Sequence, residues 1–293
     1  MRQTMADKTV LITGATSGIG FIAARALAAM GAQVVIVGRD PAKAQASVER
    51  IQRETGGMKA YALSADLSSM EDVRRLAAEF QARYPRLDVL LNNAGAVFYS
   101  YQTTVDGYER TFALNHLAPF LLTNLLLDRL KSDAPARVVT VSSLAHVGQK
   151  LDFGDVNQTV RGYRAWRAYG ESKLANVMFT YALARRLEGT GVTANTLHPG
   201  FVATNFARNN GPRWQAAMTL ARPFAISPER GAQTSIYLAS SPDVAGISGK
   251  YFIKEKPANS SNVAYDVNAQ EQLWSLSERM TGLTSATSSR HTV

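Results

Sequence analysis

The sequence predicts a single α/β domain built on a doubly wound, mainly parallel sheet of about seven strands flanked by helices. Three observations predict it. The 293 residues are enough for one large domain with a substantial core. Short aliphatic and β-branched runs alternate with amphipathic stretches from the start of the chain, and these runs are apolar throughout instead of alternating with polar residues. Strands covered by helices on both faces have this character, and right-handed crossovers make the sheet doubly wound.

The elements follow one another with little interruption. Pro41 and Pro228 suit the first turn of a helix, where the missing N–H has no helical partner in any case. The predicted strands are 8–13, 33–37, 58–63, 88–92, 137–142, 192–197 and 250–254. The predicted crossover helices are 19–30, 41–55, 69–83, 104–130, 166–188 and 227–240.

We expect one domain over residues 1–283. Two segments interrupt the alternation: 149–165, predicted to be an insertion, and 204–226, which is rich in apolar side chains. The second segment is interpreted as a lid over a hydrophobic substrate, or alternatively as helices that pack on the core, on a partner or on a membrane surface. Residues 284–293 are small and polar, and we expect a disordered tail.

Composition excludes several kinds of protein. The chain has no cysteine, which excludes disulfides, thiolate metal ligands and a cysteine nucleophile. No apolar run is long enough for a membrane-spanning helix, and the first residues lack the apolar stretch of a signal peptide, so we expect a cytoplasmic protein. The net charge is +9, but the arginines are scattered, without a helix-turn-helix pattern or zinc-ligand spacing. A basic enzyme that attracts an anionic cofactor explains this charge better than nucleic-acid binding.

A glycine-rich loop joins the first predicted strand to the first helix. Gly14, Gly18 and Gly20 have the spacing G-x-x-x-G-x-G, a variant of the dinucleotide-binding fingerprint. Glycines there let backbone N–H groups approach a phosphate closely, at the positive end of the helix. The alternative is a tight turn without a ligand. The residues of this loop predicted to contact the cofactor are Gly14, Thr16, Ser17, Gly18, Ile19 and Gly20.

The end of the second strand favours NADP over NAD. An acidic residue there normally receives the ribose 2′-hydroxyl of NAD. This chain has no Asp or Glu between Phe21 and Gly38, and the strand ends at Gly38-Arg39. A guanidinium pairs with a 2′-phosphate, which a carboxylate would repel. The alternative is that Arg39 is solvated and that Asp40 binds the ribose.

Tyr169 and Lys173 lie four residues apart in the predicted helix 166–188. Residues with this spacing share a helix face, so the ammonium lies beside the phenol. A phenol has a pKa near ~10 in isolation, and a fixed neighbouring cation favours phenolate and lowers that pKa. The pair therefore predicts a tyrosine able to act as general acid or base.

Taken together, the glycine loop, Tyr169 and Lys173, and the turn His198-Pro199-Gly200 make the chain resemble the short-chain dehydrogenase/reductase family, which are single-domain Rossmann enzymes. The resemblance covers about residues 7–255. It implies that Asn115, Ser143, Tyr169 and Lys173 are catalytic: Asn115 places a water, Ser143 binds the substrate oxygen, and Tyr169 transfers the proton. By strand alternation Ser142 points to the opposite face from Ser143.

The same resemblance extends the nucleotide site. It implies that Asp66 contacts the adenine, that Asn93 and its neighbours support the central strand beside the cofactor, and that Val202 and Thr204 hold the nicotinamide amide. His116, His146 and His198 are interpreted as structural, since no two form a metal-ligand pair. The further cofactor-binding residues implied are Asp66, Leu67, Asn93, Ala94, Gly95, Tyr169, Lys173, Pro199, Gly200, Val202 and Thr204.

Within that family, several local sequence motifs are similar to those of the retinol dehydrogenase-like branch. This similarity implies an NADP(H)-dependent oxidoreductase that interconverts a hydrophobic ketone or aldehyde and its alcohol, and that forms a homodimer or homotetramer unless 149–165 covers the helices used for assembly. The sequence shows no N-terminal membrane anchor, which counts against membrane-bound retinoid metabolism. It has no cysteine, which counts against a photo-reductase. The rival reading is a non-catalytic NADP(H)-binding sensor or scaffold. The motifs are Val141–His146, Leu151–Asp155, Ser172–Asn176, Ser227–Ser235 and Ser248–Phe252.

Overall fold

The computed structural model describes residues 5–202 and 225–283. Thr204, the rest of the 204–226 segment up to residue 224 and the tail 284–293 lie outside these ranges. Its strands are β1 (Thr9–Thr13), β2 (Gln33–Gly38), β3 (Ala60–Ser64), β4 (Val89–Asn92), β5 (Ala136–Val141), β6 (Val192–His198), β7 (Tyr251–Ile253) and β8 (Lys256–Ala258). Its helices are α1 (Gly18–Ala29), α2 (Pro41–Thr55), α3 (Met70–Arg83), α4 (Arg110–Phe112), α5 (Ala118–Leu125), α6 (Leu127–Ser132), α7 (Ala165–Arg186), α8 (Pro228–Ser240) and α9 (Val267–Thr281).

The strands form one sheet in the order β3-β2-β1-β4-β5-β6-β7-β8. All pairs are parallel except β7 with β8, which is antiparallel. The predicted doubly wound α/β fold is therefore confirmed, with one short strand, β8, beyond the seven predicted. The order reverses beside β1, and ligands of such sheets bind outside the carboxyl ends of the strands at this point.

Side chains from both faces of the sheet are buried. Along β1, Leu11 packs into one apolar cluster with α3, α5, α7 and α9, while Val10 and Ile12 pack into the other, with α1, α2 and α8. All five residues of β1 are buried. This is why the predicted strands are continuously apolar: each face of the sheet is covered by helices.

Two elements differ from the predictions for helices. The stretch predicted as one helix over 104–130 begins at Arg110 and runs on to Ser132 in pieces, with a π-helical turn at Ala113–Leu117. The helix α9 was not predicted. It packs through Trp274, whose ring lies 5.0 Å from that of Phe120 and 5.8 Å from that of Phe179.

The insertion 149–165 is held against α7 by buried and half-buried charges. Arg161 forms ion pairs with Asp155 at 3.4 Å and with Glu171 of α7 at 3.2 Å. Gln158 donates to the Glu171 carboxylate at 3.0 Å. The insertion thus lies on α7 beside the segment that carries Tyr169. In the two described ranges, no helix is both long and apolar enough to cross a bilayer.

Candidate active site

A cavity of about 620 Å³ lies at the carboxyl ends of the strands, where loops after β1, β2, β3, β4, β5 and β6 converge with α7. Thr16 does not line it, and neither does Asn115, which is buried behind it. The predicted site residues that line it are Gly14, Ser17, Gly18, Ile19, Gly20, Arg39, Asp66, Leu67, Asn93, Ala94, Gly95, Ser143, Tyr169, Lys173, Pro199, Gly200 and Val202.

The glycine loop is shaped by close backbone contacts. Gly14 has φ +65°, and a Cβ there would lie 2.8 Å from the Cα of Ala94. A Cβ on Gly20 would lie 2.4 Å from the Asn93 side-chain nitrogen and 2.6 Å from the Gly14 oxygen. That Asn93 amide donates to the oxygens of Thr13 (2.9 Å) and Gly14 (3.1 Å), so it fixes the turn. Only glycine at position 20 leaves room for this support.

The first turn of α1 is open to a ligand. Ser17 occupies its N-cap position but accepts no hydrogen bond from the helix, and the first turn has no acidic residue. By contrast, α2, α3, α8 and α9 are each capped by a side chain: Asp40, Ser69, Ser227 and Asp266 respectively. The first N–H groups of a helix need an acceptor, and they favour an anion. Because Gly18, Ile19 and Gly20 line the cavity, the phosphates of a dinucleotide fit this end of it.

Arg39 and Asp40 differ sharply in their surroundings. Arg39 is exposed, lines the cavity and forms no ion pair within the residues described. Asp40 accepts from the Lys43 backbone N–H at 3.1 Å and caps α2, and it does not line the cavity. At the neighbouring strand end, Asp66 accepts from both the N–H and the hydroxyl of Ser68, at 2.9 and 2.7 Å.

Tyr169, Ser143 and Lys173 meet on the opposite wall. The Ser143 side chain interacts with the Tyr169 phenol and favours a lower pKa of that phenol. The Lys173 ammonium donates to the Val141 oxygen at 2.9 Å and lies 5.7 Å from the centre of the Tyr169 ring. Ser142, adjacent to Ser143, instead donates to the Lys173 backbone oxygen at 2.8 Å and is buried, so it fastens β5 to α7.

The predicted lowering of the Tyr169 pKa is wrong. Burial raises the pKa of Tyr169 to about 12, although the Ser143 side chain opposes the rise. Burial also lowers the pKa of Lys173 to about 8. The reason is that both groups lie in the interior, where each charged form is penalised, and the lysine is bound to a carbonyl instead of the phenol oxygen.

Asn115 lies in the π-helical turn and is fully buried. Its side chain accepts from the Ala96 N–H (2.9 Å) and donates to the Ala96 oxygen (2.9 Å) and to the Ser172 hydroxyl (3.0 Å). A Cβ on Gly95 would lie 3.3 Å from the Asn115 oxygen and 3.1 Å from the Lys173 nitrogen. Glycine at position 95 thus lets the amide and the ammonium approach the same backbone. π-Turns are common at functional sites, but nothing in the sequence predicted this one.

The remaining wall is apolar and aromatic. Phe98, Leu114, Leu144, Trp166 and Phe201 line it. Trp166 was missed in the sequence, although it precedes Tyr169 by one helical turn and its ring lies 6.0 Å from the tyrosine ring.

Other aromatic residues support this wall or lie outside it. Tyr99 stacks edge-on against Trp166 at 6.1 Å, and the Arg110 guanidinium lies 4.6 Å from the Phe98 ring centre. Tyr101 and Tyr163 pack against one another at 5.6 Å and do not line the cavity.

The three histidines in the described part of the chain, His116, His146 and His198, do not form a metal site. His116 is fully buried, lies 2.8 Å from the Ser277 hydroxyl of α9 and 3.4 Å from the Asn176 amide oxygen, and burial lowers its pKa to about 4. Over residues 5–202 and 225–283, no three His, Cys, Asp or Glu side chains cluster closely enough to bind a metal ion. His198 lines the cavity beside Pro199, which the sequence did not predict.

Comparison with known proteins shows which family the chain matches. Residues 8–214 match the family model described as short chain dehydrogenase. Human retinol dehydrogenase 13 is 42% identical, over 96% of this chain and 87% of the relative, and human polyprenol dehydrogenase is also 42% identical with the same coverage.

Solved structures share the fold. An uncharacterized protein from Mycobacterium paratuberculosis superposes with a TM-score of 0.78 at 35% identity, over 96% of this chain and 95% of the other. The NADP complex of RhlG from Pseudomonas aeruginosa superposes with a TM-score of 0.68 at 30% identity, over 85% of this chain and 95% of the other.

Proposed function

This chain belongs to the short-chain dehydrogenase family, in its retinol dehydrogenase-like branch, and from that premise we propose that it is an NADP(H)-dependent oxidoreductase interconverting an apolar ketone or aldehyde and its alcohol. The observation that carries the proposal is that one cavity contains the uncapped first turn of α1 and, across from it, Ser143 and Tyr169. A protein that only bound a dinucleotide would not need the second set of side chains.

When bound, the nicotinamide supplies the hydride for reduction or accepts it in oxidation. Tyr169 donates its proton to the carbonyl oxygen as the carbon is reduced. Its high pKa keeps the phenol protonated at neutral pH, which suits this direction. The Ser143 hydroxyl stabilises the developing alkoxide. In oxidation the phenol must first lose its proton, and the Lys173 ammonium favours the resulting phenolate.

Reprotonation uses the residues behind the cavity. The Asn115 amide joins the Ala96 backbone to Ser172, and the Asn115 oxygen and Lys173 ammonium both lie close to Gly95. A water held between Asn115 and Lys173 would carry protons toward Tyr169. Since the Asn115 side chain already makes three hydrogen bonds, it is a rigid acceptor for that water.

The preference for NADP(H) rests on the end of β2. Arg39 is an exposed cation on the cavity wall, and Asp40 is engaged in capping α2. A guanidinium forms charge-assisted bonds to a 2′-phosphate. The Asp40 carboxylate does not line the cavity, so it is poorly placed to accept from a ribose hydroxyl.

The substrate class rests on the aromatic wall. Trp166 and Phe201 are each about half exposed at the cavity (51% and 49%), so they offer apolar surface that a substrate would cover. Retinol and polyprenol, which name two relatives, are apolar alcohols. We therefore assign this chain a bulky apolar carbonyl compound or alcohol.

A turnover screen tests the proposal. Purified protein is offered retinal, a prenyl aldehyde, an aryl ketone, a steroid ketone and a small keto acid, each with NADPH and with NADH. We expect turnover of apolar compounds and a higher kcat/KM with NADPH. NADPH binding without turnover of any compound would instead support a sensor or scaffold, and turnover of the keto acid alone would rule out the apolar class.

A further inference from the structure

Two histidines bind the peptide group between Ser143 and Leu144, one at its carbonyl oxygen and one at its N–H. The Leu144 N–H donates to His198 Nδ1 at 3.2 Å. The Ser143 carbonyl oxygen lies 2.6 Å from His146 Nδ1. Both bonds involve the turn that sets the direction of the Ser143 side chain. His198 is the last residue of β6, and His146 is the last residue of the short turn Leu144–His146. The bond to His198 therefore connects the turn after β5 to the end of β6.

A third bond anchors His146 to the C-terminal region. Its Nε2 accepts from the Ser261 N–H at 3.0 Å, 115 residues along the chain. Its ring packs edge-on against Tyr251 of β7, with 5.1 Å between centroids. The loop after β8 is therefore tied, through one imidazole, to the carbonyl of Ser143.

These bonds fix both tautomers. The Ser143 oxygen can only accept, so His146 Nδ1 carries the proton, and His146 Nε2 is bare because it accepts from Ser261. His198 Nδ1 is bare because it accepts from Leu144, so the neutral ring carries its proton on Nε2. A doubly protonated ring would place an N–H against a donor N–H at either site. Both bonds therefore require neutral imidazole.

The surroundings keep the rings neutral. Burial lowers the pKa of His198 to about 4, with His146 as the further cause, and burial lowers the pKa of His146 as well. Tyr251 of β7 is a titratable group around these rings, and it packs on His146. From α7, Tyr169 interacts with Ser143, and Lys173 donates to the Val141 oxygen. In the described parts of the chain, neither ring pairs with an Asp or Glu.

The helix carrying Tyr169 packs tightly on the same turn. A Cβ on Gly170 would lie 2.6 Å from the Ala145 oxygen, so α7 contacts the turn at its backbone. A shift of the turn would change the distance between the Ser143 hydroxyl and Tyr169, because the serine would move while the helix stays fixed.

We propose that His146 and His198 are positioning residues that, as neutral rings, hold the Ser143 hydroxyl against Tyr169, and that protonation of either ring releases the turn. This inference rests on the proposed function. Neither histidine touches the reacting atoms in this role. Each acts through the backbone of Ser143 and Leu144.

Paired substitutions at His198 test the role. Asparagine carries an oxygen near the place of Nδ1 and can still accept from Leu144, whereas leucine cannot. We expect His198→Asn to keep kcat within about threefold of wild type and His198→Leu to lower kcat by about 10- to 100-fold, since misplacing a reacting group by ~1 Å has an effect of this size. Equal kcat in His198→Leu and wild type would overturn the proposal.

Two further readouts separate positioning from general destabilisation. Between about pH 6 and pH 4, kcat of wild type should fall more steeply than kcat of His198→Asn, whose side chain does not titrate. Tyr181→Phe is the matched control: it removes a buried hydrogen bond to Ser260, at 2.9 Å, near the Ser261 anchor. It should lower thermal stability without changing kcat, and a comparable loss of kcat would overturn the positioning role.

Nitrogen-15 NMR of the wild-type rings tests the hold without any substrate. At neutral pH we expect His146 protonated on Nδ1 only and His198 on Nε2 only. The opposite tautomers, or a charged ring, would overturn the inference. The expected tautomers together with no turnover of any carbonyl would support the hold around Ser143 while contradicting the proposed function, so the two failures are distinguishable.

Discussion

The sheet has a cavity with a lysine at the amino ends of its strands, here called the amino edge, and another at their carboxyl ends, the carboxyl edge. The two lysines differ in their surroundings. At the amino ends of the strands a cavity of about 1040 Å³ includes Lys8, which is 36% exposed on its side chain and pairs with Asp88 at 2.9 Å. At the carboxyl ends a smaller cavity, about 620 Å³, contains Lys173. That lysine is 2% exposed and donates to the carbonyl of Val141.

The surroundings of the two lysines, and not the volumes of the two cavities, distinguish the candidate active site. Burial without a carboxylate partner shifts the pKa of Lys173 down to about 8. Although burial alone raises the pKa of Asp88, hydrogen bonds from Arg86, from the Thr9 N–H and from Lys8 hold it below its usual range. Lys8 is thus neutralised by Asp88 within the fold, which stabilises it. Lys173 has no carboxylate partner among the described residues and remains available to a ligand.

Replacing the two lysines gives the largest expected contrast. Lys173→Met should lower kcat by about 10³-fold, within the range for loss of an acid–base group, because the phenolate of Tyr169 loses a nearby cation. Lys8→Met is the control and should leave kcat within about twofold. Steady-state turnover of an apolar aldehyde with NADPH measures both. Similar kcat losses in the two variants would contradict the distinction between the edges.

Removing Arg39 should change the choice of cofactor by a smaller factor. Arg39→Ala should weaken NADPH binding by about 10- to 100-fold, as expected for loss of one or two charge-assisted bonds at an exposed site, and leave NADH binding nearly unchanged. Titration of both dinucleotides by fluorescence measures this ratio. An unchanged ratio would show that Arg39 does not bind the 2′-phosphate.

Trp166 tests the apolar wall. Trp166→Ala should raise KM for a bulky apolar aldehyde by about tenfold, since the ring offers half its surface to the cavity and about 25 cal/mol is gained per Å² of apolar area covered. The KM for a small aldehyde should change less. An equal rise for both substrates would mean that the ring supports the site instead of contacting the substrate.

The smallest effect on turnover, but a clear one on stability, is expected at the amino edge. Asp88→Asn should leave kcat within about twofold while lowering the free energy of unfolding by about 1–3 kcal/mol, since it breaks buried charged hydrogen bonds. The Asp88 pKa is depressed in the folded state, so its contribution is present above its unfolded value, near ~3.9, and is lost as pH falls through the folded value. Denaturant unfolding at several pH values measures it.

His198 should give a loss of stability in the same direction as Asp88, but in a higher pH range. Its folded pKa of about 4 lies below the unfolded value of ~6.5, so the unfolded chain binds more protons in between. Stability should therefore fall, on the order of 1 kcal/mol, as pH drops from about 6.5 toward 4, before Asp88 titrates. His198→Asn should remove that part of the loss.

Much of the fold could be predicted because its signals are local. The strands around β1 are continuously apolar, Pro41 and Pro228 begin helices, and the spacing of Gly14, Gly18 and Gly20 marks the turn into α1. The two clearest misses were β8, whose three residues pair only with β7, and α9, which is stabilised by Trp274 packing on Phe120 and Phe179. Both depend on tertiary contacts that no local pattern reports.

The site was predictable in its residue types and less so in its electrostatics. Four-residue spacing brought Tyr169 beside Lys173, but the sequence could not show that both would be buried, so the direction of the Tyr169 pKa shift was wrong. The π-turn at Asn115 and the bonds of His198 and His146 to the Ser143 turn depend on contacts between distant segments.

The most direct test of the account is Tyr169→Phe, measured both for NADPH affinity and for single-turnover reduction of an apolar aldehyde. The phenyl ring keeps the packing against Trp166, and the substitution removes only the hydroxyl. We predict NADPH affinity within about threefold of wild type and a reduction rate lowered by at least about 10³-fold. Reduction at the wild-type rate with NADPH bound would contradict the assignment of Tyr169 as the proton donor.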